Sequence, residues 1–457
     1  MSRTTCILVC AALAPCVWAQ DAGIGDPAFP TLGNRGYLAG HYALKLTFDP
    51  STDAMDADVT MSGVATSRLS EISLDFTGFT IRSVTLNGHP VKFRRSIGKL
   101  YVKTGLGSGE KFTLETCYSG KPVQTQSAAL PAGMKSGWIP YLGGAVAACE
   151  PDLAHTWFPC NDHPLDKATF DFQLTTPRPN VAIANGKRVQ STGTNYRFSL
   201  DKPTLTCMAT AVFGQFTAVS GPSAQGVPIT SYVAKGVSQA ARDRLKLLPK
   251  YMKILTDRLG PYPFDTYGAV LLPTALAQSN ELMAGSALET TTLPLFGPFT
   301  EAAPAILIHE LSHQWMGNCV SVTHWGDDIW WVEGFAQYAE WLLVESEHGR
   351  EAYENEVASA YSQATAQTHW LKPGHLPTED LFSMRSYIGG ALTFHALRRT
   401  VGDVQFNQIL RQFVEKHRYG NASAKDWIAI SSQIAKRDMS PFFNAWLYGD
   451  KNPPLPR

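Results

Sequence analysis

The chain has 457 residues, and 39 Lys and Arg balance 39 Asp and Glu, so its formal net charge is zero. With no basic excess to neutralise a phosphate backbone, nucleic acid is excluded as an expected partner. A composition of 44% hydrophobic, 11% aromatic and 17% charged residues excludes a disordered polymer.

The first segment carries one positive charge, Arg3, and then runs apolar and uncharged from Ile7 to Ala19. That is too short to span a bilayer. Val17-Trp18-Ala19 puts small residues at the two positions a signal peptidase reads, so residues 1–19 are expected to be a secretory signal and the mature chain to be exported, to the periplasm or beyond the cell. No later stretch has the length and apolarity of a transmembrane helix. Of eight cysteines, three fall in this leader, leaving Cys117, Cys149, Cys160, Cys207 and Cys319. An odd number permits two disulfides at most, and no C-x-x-C clip is present, so these cysteines read as packing residues.

From about Tyr42 to Thr217 apolar residues alternate, as in Tyr42, Leu44, Leu46, Phe48 and again in Phe170, Phe172, Leu174. Period two predicts half-buried strands. Asn87-Gly88 between Val84/Leu86 and Val91/Phe93 predicts a tight hairpin, because both residues tolerate the positive φ it needs. Residues 20–221 are therefore expected to form an all-β domain. After Ser220-Gly221-Pro222-Ser223 the period changes, and residues 222–457 read as a mostly helical domain with a small sheet. Helices are expected over Ala240–Leu259, Ala302–Met316, Trp331–His348, Glu351–Gln367, Gly389–Thr400 and Val404–Lys416, with a buried strand at Ala269–Pro273.

The strongest chemical signal is His309-Glu310-Leu311-Ser312-His313. Residues four apart share a helix face, so both imidazoles can reach one ion at ~2.1 Å, the usual zinc–nitrogen distance. Glu310, beside the first ligand, is placed to take a proton from water. The flanking Ile306, Leu307, Ile308 and Trp315 predict a buried helix, where paired imidazoles need a partner. A third zinc ligand is expected from Glu333 in Trp330-Trp331-Val332-Glu333-Gly334, with His324 as the competitor. Glu340, two turns beyond Glu333, is placed to orient a ligand histidine from behind.

His309-Glu-Leu-Ser-His-Gln-Trp-Met-Gly-Asn318 followed by Trp-Val-Glu333-Gly-Phe-Ala resembles the aminopeptidase N-type gluzincins, the group that includes the bifunctional leukotriene hydrolase. Cys149-Glu150-Pro151, Trp157 to Pro164, Lys167 to Phe170 and Tyr387-Ile-Gly-Gly-Ala391 extend the likeness over most of the mature chain. The resemblance implies an α+β multidomain fold, with a saddle-like all-β domain before a thermolysin-like, mostly helical zinc domain. It implies one Zn2+ per chain on His309, His313 and Glu333, Glu310 as general base, and Tyr387 as hydrogen-bond donor to the oxyanion of the tetrahedral intermediate. Ser286-Ala287-Leu288-Glu289-Thr290 stands where the family has its exopeptidase signature. It implies that Ala287 contacts substrate and that Glu289, with Glu150, binds the free α-ammonium of a peptide.

Three features depart from the family. Nineteen residues separate His313 from Glu333 where the family has eighteen, and the extra residue is expected in a loop at Gly326-Asp327-Asp328. Val332, Ser286 and Thr290 replace the family's usual residues, which bears on substrate preference more than on the metal. The chain stops at Arg457, shortly after the zinc domain is expected to end, and the large helical C-terminal domain of longer members is expected to be missing. The expected activity is removal of N-terminal residues from peptides. The rivals are a zinc endopeptidase of thermolysin type, which has no use for Glu150 and Glu289, and an exported peptide-binding protein with a decayed site.

Overall fold

A computed structural model describes residues 23–366, 370–451 and 453–456. The expected signal at residues 1–19, with Cys6, Cys10 and Cys16, lies outside the described residues. The N-terminal part is built of strands whose alternation carries through to burial. In the strand Tyr37–Asp49, Tyr42, Leu44, Leu46 and Phe48 are all buried while their neighbours face outward. This strand pairs antiparallel with Ala54–Ala65 and parallel with Ala168–Thr175 at the centre of an eight-stranded sheet. The expected hairpin is present: Thr80–Leu86 turns at Asn87 (φ 52°) and Gly88 (φ 79°) to pair with His89–Pro90.

A second sheet of five strands contains Lys135–Tyr141 and Gly144–Ala148 in antiparallel register, and its end delivers Glu150 toward the C-terminal part. The strand Phe216–Ser220 pairs with Thr230–Ala234, in a mixed sheet that also holds Val270–Leu271, Leu295–Phe296 and Ala287–Leu288. The Ser220-Gly221-Pro222-Ser223 punctuation is thus a turn inside the second part's sheet, which the chain enters at Phe216.

The helices that matter for the site are α1 (Leu248–Leu259), α2 (Pro304–Ser312), α3 (Trp325–Thr365), α4 (Gly390–Val401), α5 (Asp403–His417) and α6 (Ala424–Ala435). The helix expected over Ala240–Leu259 is divided: Gln239–Arg244, a tight turn at Leu245–Leu247, then α1, which has a proline in its first turn. Pro249 has no N–H and crowds the residue before it, so the chain restarts its helix there. The two helices expected at Trp331–His348 and Glu351–Gln367 are both present within Trp325–Thr365 and meet at a kink at Gly349, whose φ of 85° and ψ of 177° are not helical. α3 starts at Trp325, six residues before the expected Trp331.

That early start corrects the expected loop. Gly326, Asp327 and Asp328 are not loop but the first turn of α3. Asp328 Oδ2 accepts from the backbone N–H groups of Thr323 (3.0 Å) and His324 (3.2 Å), and Oδ1 from that of Ala424 (3.0 Å). Gly326 packs so closely on Leu376 that a Cβ there would lie 2.5 Å from its carbonyl oxygen.

One hydrophobic core runs continuously through both parts. All five described cysteines are unpaired, and Cys149, Cys160, Cys207 and Cys319 are buried, which agrees with a packing role. Among the described residues no helix is long and apolar enough to cross a membrane.

Candidate active site

Proline at the first position of α2 suits a helix start, because its missing N–H has no intrahelical partner there. Leu307, Ile308 and Leu311 of α2 are fully buried and hold it in the core, and His309 and His313 line a cleft of about 460 Å³. The imidazoles lie 5.0 Å apart between ring centroids. Their Nε2 atoms are each 3.6 Å from Glu333 Oε2. Glu333 sits in the third turn of α3, beside the buried Trp330 and Trp331, and is itself 1% exposed.

Zinc with ~2.1 Å bonds in a tetrahedral shell keeps its ligand atoms ~3.4 Å apart. The donors of His309, His313 and Glu333 lie near that spacing, and all are within 4.8 Å of one another. The outer ring nitrogens are already committed. His309 Nδ1 meets Glu340 Oε1 at 2.8 Å, and His313 Nδ1 meets the Met316 carbonyl at 3.2 Å. Both contacts favour an Nδ1–H tautomer and leave Nε2 as the free lone pair. Glu333 Oε1 is buried without a hydrogen-bond partner among the described residues. A cation would satisfy it, so the residues fit the metal. His324 precedes α3 and belongs to none of the donor groups found among the described residues.

Glu310 and Glu289 join His313 in a second buried group, and Glu150, Glu289 and Glu333 form a third, each with donor atoms within 4.8 Å. Burial pushes the Glu310 carboxyl well above the usual carboxylate range, although His309 opposes it. Burial, then the carboxylates of Glu289 and Glu333, do the same to Glu150. For Glu333 burial also acts upward, but the imidazoles of His313 and His309 win and hold it below the ordinary value. The Tyr387 phenol is raised far above its usual range by burial and by the carboxylates of Glu333 and Glu150. Its ring lies 6.0 Å from that of His309, nearly parallel to it.

Among the described residues, the cleft lining includes Glu150, Glu289, Glu310, Glu333 and Glu379 and no Lys or Arg. Five carboxylates against two imidazoles leave the cavity set to receive positive charge. Ala287 and Leu288 form an edge strand along the same cleft, paired on one side only, with Leu295–Phe296. Such an edge offers backbone groups to an extended peptide.

Sequence reasoning missed the supports of Glu289. Its carbonyl accepts from Asn318 Nδ2 (2.7 Å) and Gln314 Nε2 (3.3 Å). Lys167, from the N-terminal part, donates to the carbonyls of Asn318 (2.9 Å), Cys319 (2.8 Å) and Gly420 (3.1 Å). A lysine just before the strand Ala168–Thr175, 151 positions from Asn318, gives no sequence signal of that contact. Glu379 and Phe382 in the cleft lining carry no sequence signal either, since they follow no periodic element.

Two family descriptions match this chain: "Peptidase M1 N-terminal domain" over residues 39–202 and "Peptidase family M1 domain" over residues 245–446. Among curated relatives, endoplasmic reticulum aminopeptidase 2 of Homo sapiens is 27% identical over 65% of this chain and 34% of its own length. Aminopeptidase N of Lactococcus lactis is 25% identical over 90% of this chain and 51% of its own. The chain thus spans between a third and about half of the length of these two relatives. A solved M1 zinc metallopeptidase from Deinococcus radiodurans, a mutant bound to a Tyr-Ser-Ala substrate, superposes with a TM-score of 0.87 at 30% identity, covering 95% of this chain and 99% of that one. Both halves of the described fold, and nearly the whole of a two-domain relative, are accounted for by one group: the chain belongs to peptidase family M1.

Proposed function

We propose that the protein is an exported zinc aminopeptidase, and the observation that carries this reading is the pairing of Glu150 and Glu289 beside the His309, His313 and Glu333 donor set. A free α-ammonium has one positive charge and three N–H donors, and two buried carboxylates next to a metal site match both. An endopeptidase has no use for them. Export rests on the Met1–Ala19 pattern alone.

His309, His313 and Glu333 would hold one zinc, which when bound supplies a Lewis acid for the scissile carbonyl and lowers the pKa of water. The chain's own residues do the rest. Glu150 and Glu289 anchor the amine and so set which peptide bond enters the site. The Ala287–Leu288 edge aligns the peptide backbone. Glu310, buried with Oε2 free of hydrogen bonds among the described residues, accepts a proton from the attacking water and delivers it to the leaving amine. Tyr387, kept as the neutral phenol, donates to the oxygen on which negative charge develops.

The test is a panel of aminoacyl fluorogenic substrates and their N-acetylated counterparts, with and without chelator. Losing charge-assisted bonds to two carboxylates removes about 3–5 kcal/mol, so acetylation is expected to lower kcat/KM by roughly 150- to 5,000-fold. Equal cleavage of free and blocked substrates would establish the endopeptidase instead. Bound zinc with no hydrolysis of any substrate would establish the binding protein.

A further inference from the structure

Three carboxylates meet where a single ammonium is proposed to bind. Glu150, Glu289 and Glu333 are 7%, 4% and 1% exposed, and one oxygen of each lies within 4.8 Å of the others. In all three residues Oε1 is buried with no hydrogen-bond partner among the described residues. Glu333 belongs to two donor groups at once, because its Oε2 faces both imidazoles at 3.6 Å. A buried carboxylate oxygen without a donor calls for one or for a cation.

We propose that this cluster is a second divalent-cation site, filled when metal exceeds the resident zinc, in which Glu333 bridges the two ions and Glu150 and Glu289 complete the second.

The geometry needs little adjustment. Oxygen donors around one zinc at ~2.0–2.2 Å lie no more than ~4.4 Å apart, so a group confined within 4.8 Å closes with shifts of a few tenths of an ångström. Hard carboxylate oxygens suit Zn2+ or Mn2+ and are poor ligands for soft ions. A divalent ion brings twice the charge of an ammonium and approaches each oxygen at ~2.1 Å, against ~2.8 Å for an N–H···O contact. Two cations sharing a carboxylate is an ordinary arrangement when they stand ~3.5–4 Å apart. Their mutual repulsion, and the lack of any imidazole in the second group, make the second ion the weaker one, so loading is sequential. The inhibitory consequence rests on the reading of Glu150 and Glu289 as the amine pocket: an ion there excludes the substrate's ammonium, and excess metal inhibits by competition.

The experiment uses the mature chain carrying one equivalent of zinc. It is dialysed against rising ZnCl2, and in parallel against MnCl2, and bound metal per chain is read by atomic emission. A second equivalent is expected in the wild type, absent from Glu289→Gln and Glu150→Gln, both of which keep the first. Leucine amide is expected to displace the second equivalent, and N-acetyl-leucine amide to leave it in place. In kinetics the apparent KM for a free-amine substrate should rise about tenfold at roughly ten times the second ion's dissociation constant, with kcat unchanged. Saturation at one equivalent over the whole range overturns the proposal, as does a second equivalent that survives in both variants. The two readings fail separately. One equivalent together with strong discrimination against acetylated substrates removes the second ion and leaves the amine pocket standing. A second equivalent with no such discrimination removes the amine pocket.

Discussion

Replacing Lys167 by Met keeps the length of the side chain and deletes one ammonium that ties the two parts of the molecule together. In the folded protein its Nζ donates to three carbonyls, two of them on the turn just after α2, at 2.8–3.1 Å. Charge-assisted bonds of this kind contribute about 1.5–3 kcal/mol each, but their sum overstates the loss. Burial of the head pushes the Lys167 pKa down to about 7, so desolvation already offsets part of the gain. A net loss of about 2–4 kcal/mol is therefore expected, read from urea unfolding of the zinc-loaded mature chain. The substitution has a second consequence that a merely structural lysine would not have. Asn318, whose carbonyl Lys167 holds, donates to the carbonyl of Glu289, so the residue proposed to bind the amine loses a support. In the surviving folded protein KM for free-amine substrates is expected to rise more than kcat falls, with zinc content unchanged. A stability change below ~0.5 kcal/mol, or unaltered discrimination between free and acetylated substrates, would refute the coupling.

Glu310→Gln is expected to retain one zinc per chain while turnover falls by roughly 10²–10⁴-fold, and ordinary activity in this variant removes Glu310 as the base. Gly334→Ala places a Cβ 2.5 Å from the Gly390 Cα, so α3 and α4 must separate; a loss of about 1–3 kcal/mol and at least a tenfold fall in kcat/KM are expected, checked by melting and by kinetics. His395 is held at a pKa of about 4, mainly by burial and then by the guanidiniums of Arg399, Arg350 and Arg398, while its Nδ1 accepts from the Tyr353 hydroxyl at 2.7 Å. An unfolded histidine titrates near ~6.5, so between that pH and 4 the unfolded chain binds the extra proton and stability is lost as pH falls, by about 3 kcal/mol at full extent. Urea midpoints at pH 7 and pH 4.5 should differ less in His395→Asn than in the wild type, and equal acid sensitivity would clear His395 of that role.

What the sequence made legible followed periodicity and local chemistry. Tyr42, Leu44, Leu46 and Phe48 line one face of a strand because alternation forces them there, and Asn87-Gly88 turns because few other pairs accept two positive φ values. The His309–His313 pair faces one cleft for the same reason, since helical spacing alone fixes it. Three kinds of feature escaped. The parallel pairing of Tyr37–Asp49 with Ala168–Thr175 joins segments more than a hundred residues apart. The split before α1 turned on Pro249, which a purely apolar count overlooks. The start of α3 at Trp325 is fixed by Asp328 gathering the N–H groups of Thr323, His324 and Ala424, a tertiary contact that outweighs the loop-like look of Gly326-Asp327-Asp328.

The glycines beside the site show how a motif becomes geometry. Read as letters, Glu333-Gly334 and Gly389-Gly390 are only points of likeness to a family. In the fold the two meet: a Cβ on Gly334 would touch Gly390, and one on Gly390 would lie 2.1 Å from the Trp330 carbonyl oxygen. Only backbone fits between these segments, so α3 and the chain entering α4 approach as closely as two helices can. Tyr387 stands three residues before Gly390, within a wider turn of helix over Arg385–Gly389. Wider turns of this kind recur at functional sites because they re-aim one side chain without ending the helix. Glu333 and Tyr387 thus sit on opposite sides of a backbone-to-backbone contact, and that contact fixes the distance between the carboxylate proposed to hold the metal and the phenol proposed to meet the oxyanion. A side chain at either glycine would leave every functional residue in the sequence and still take the site apart.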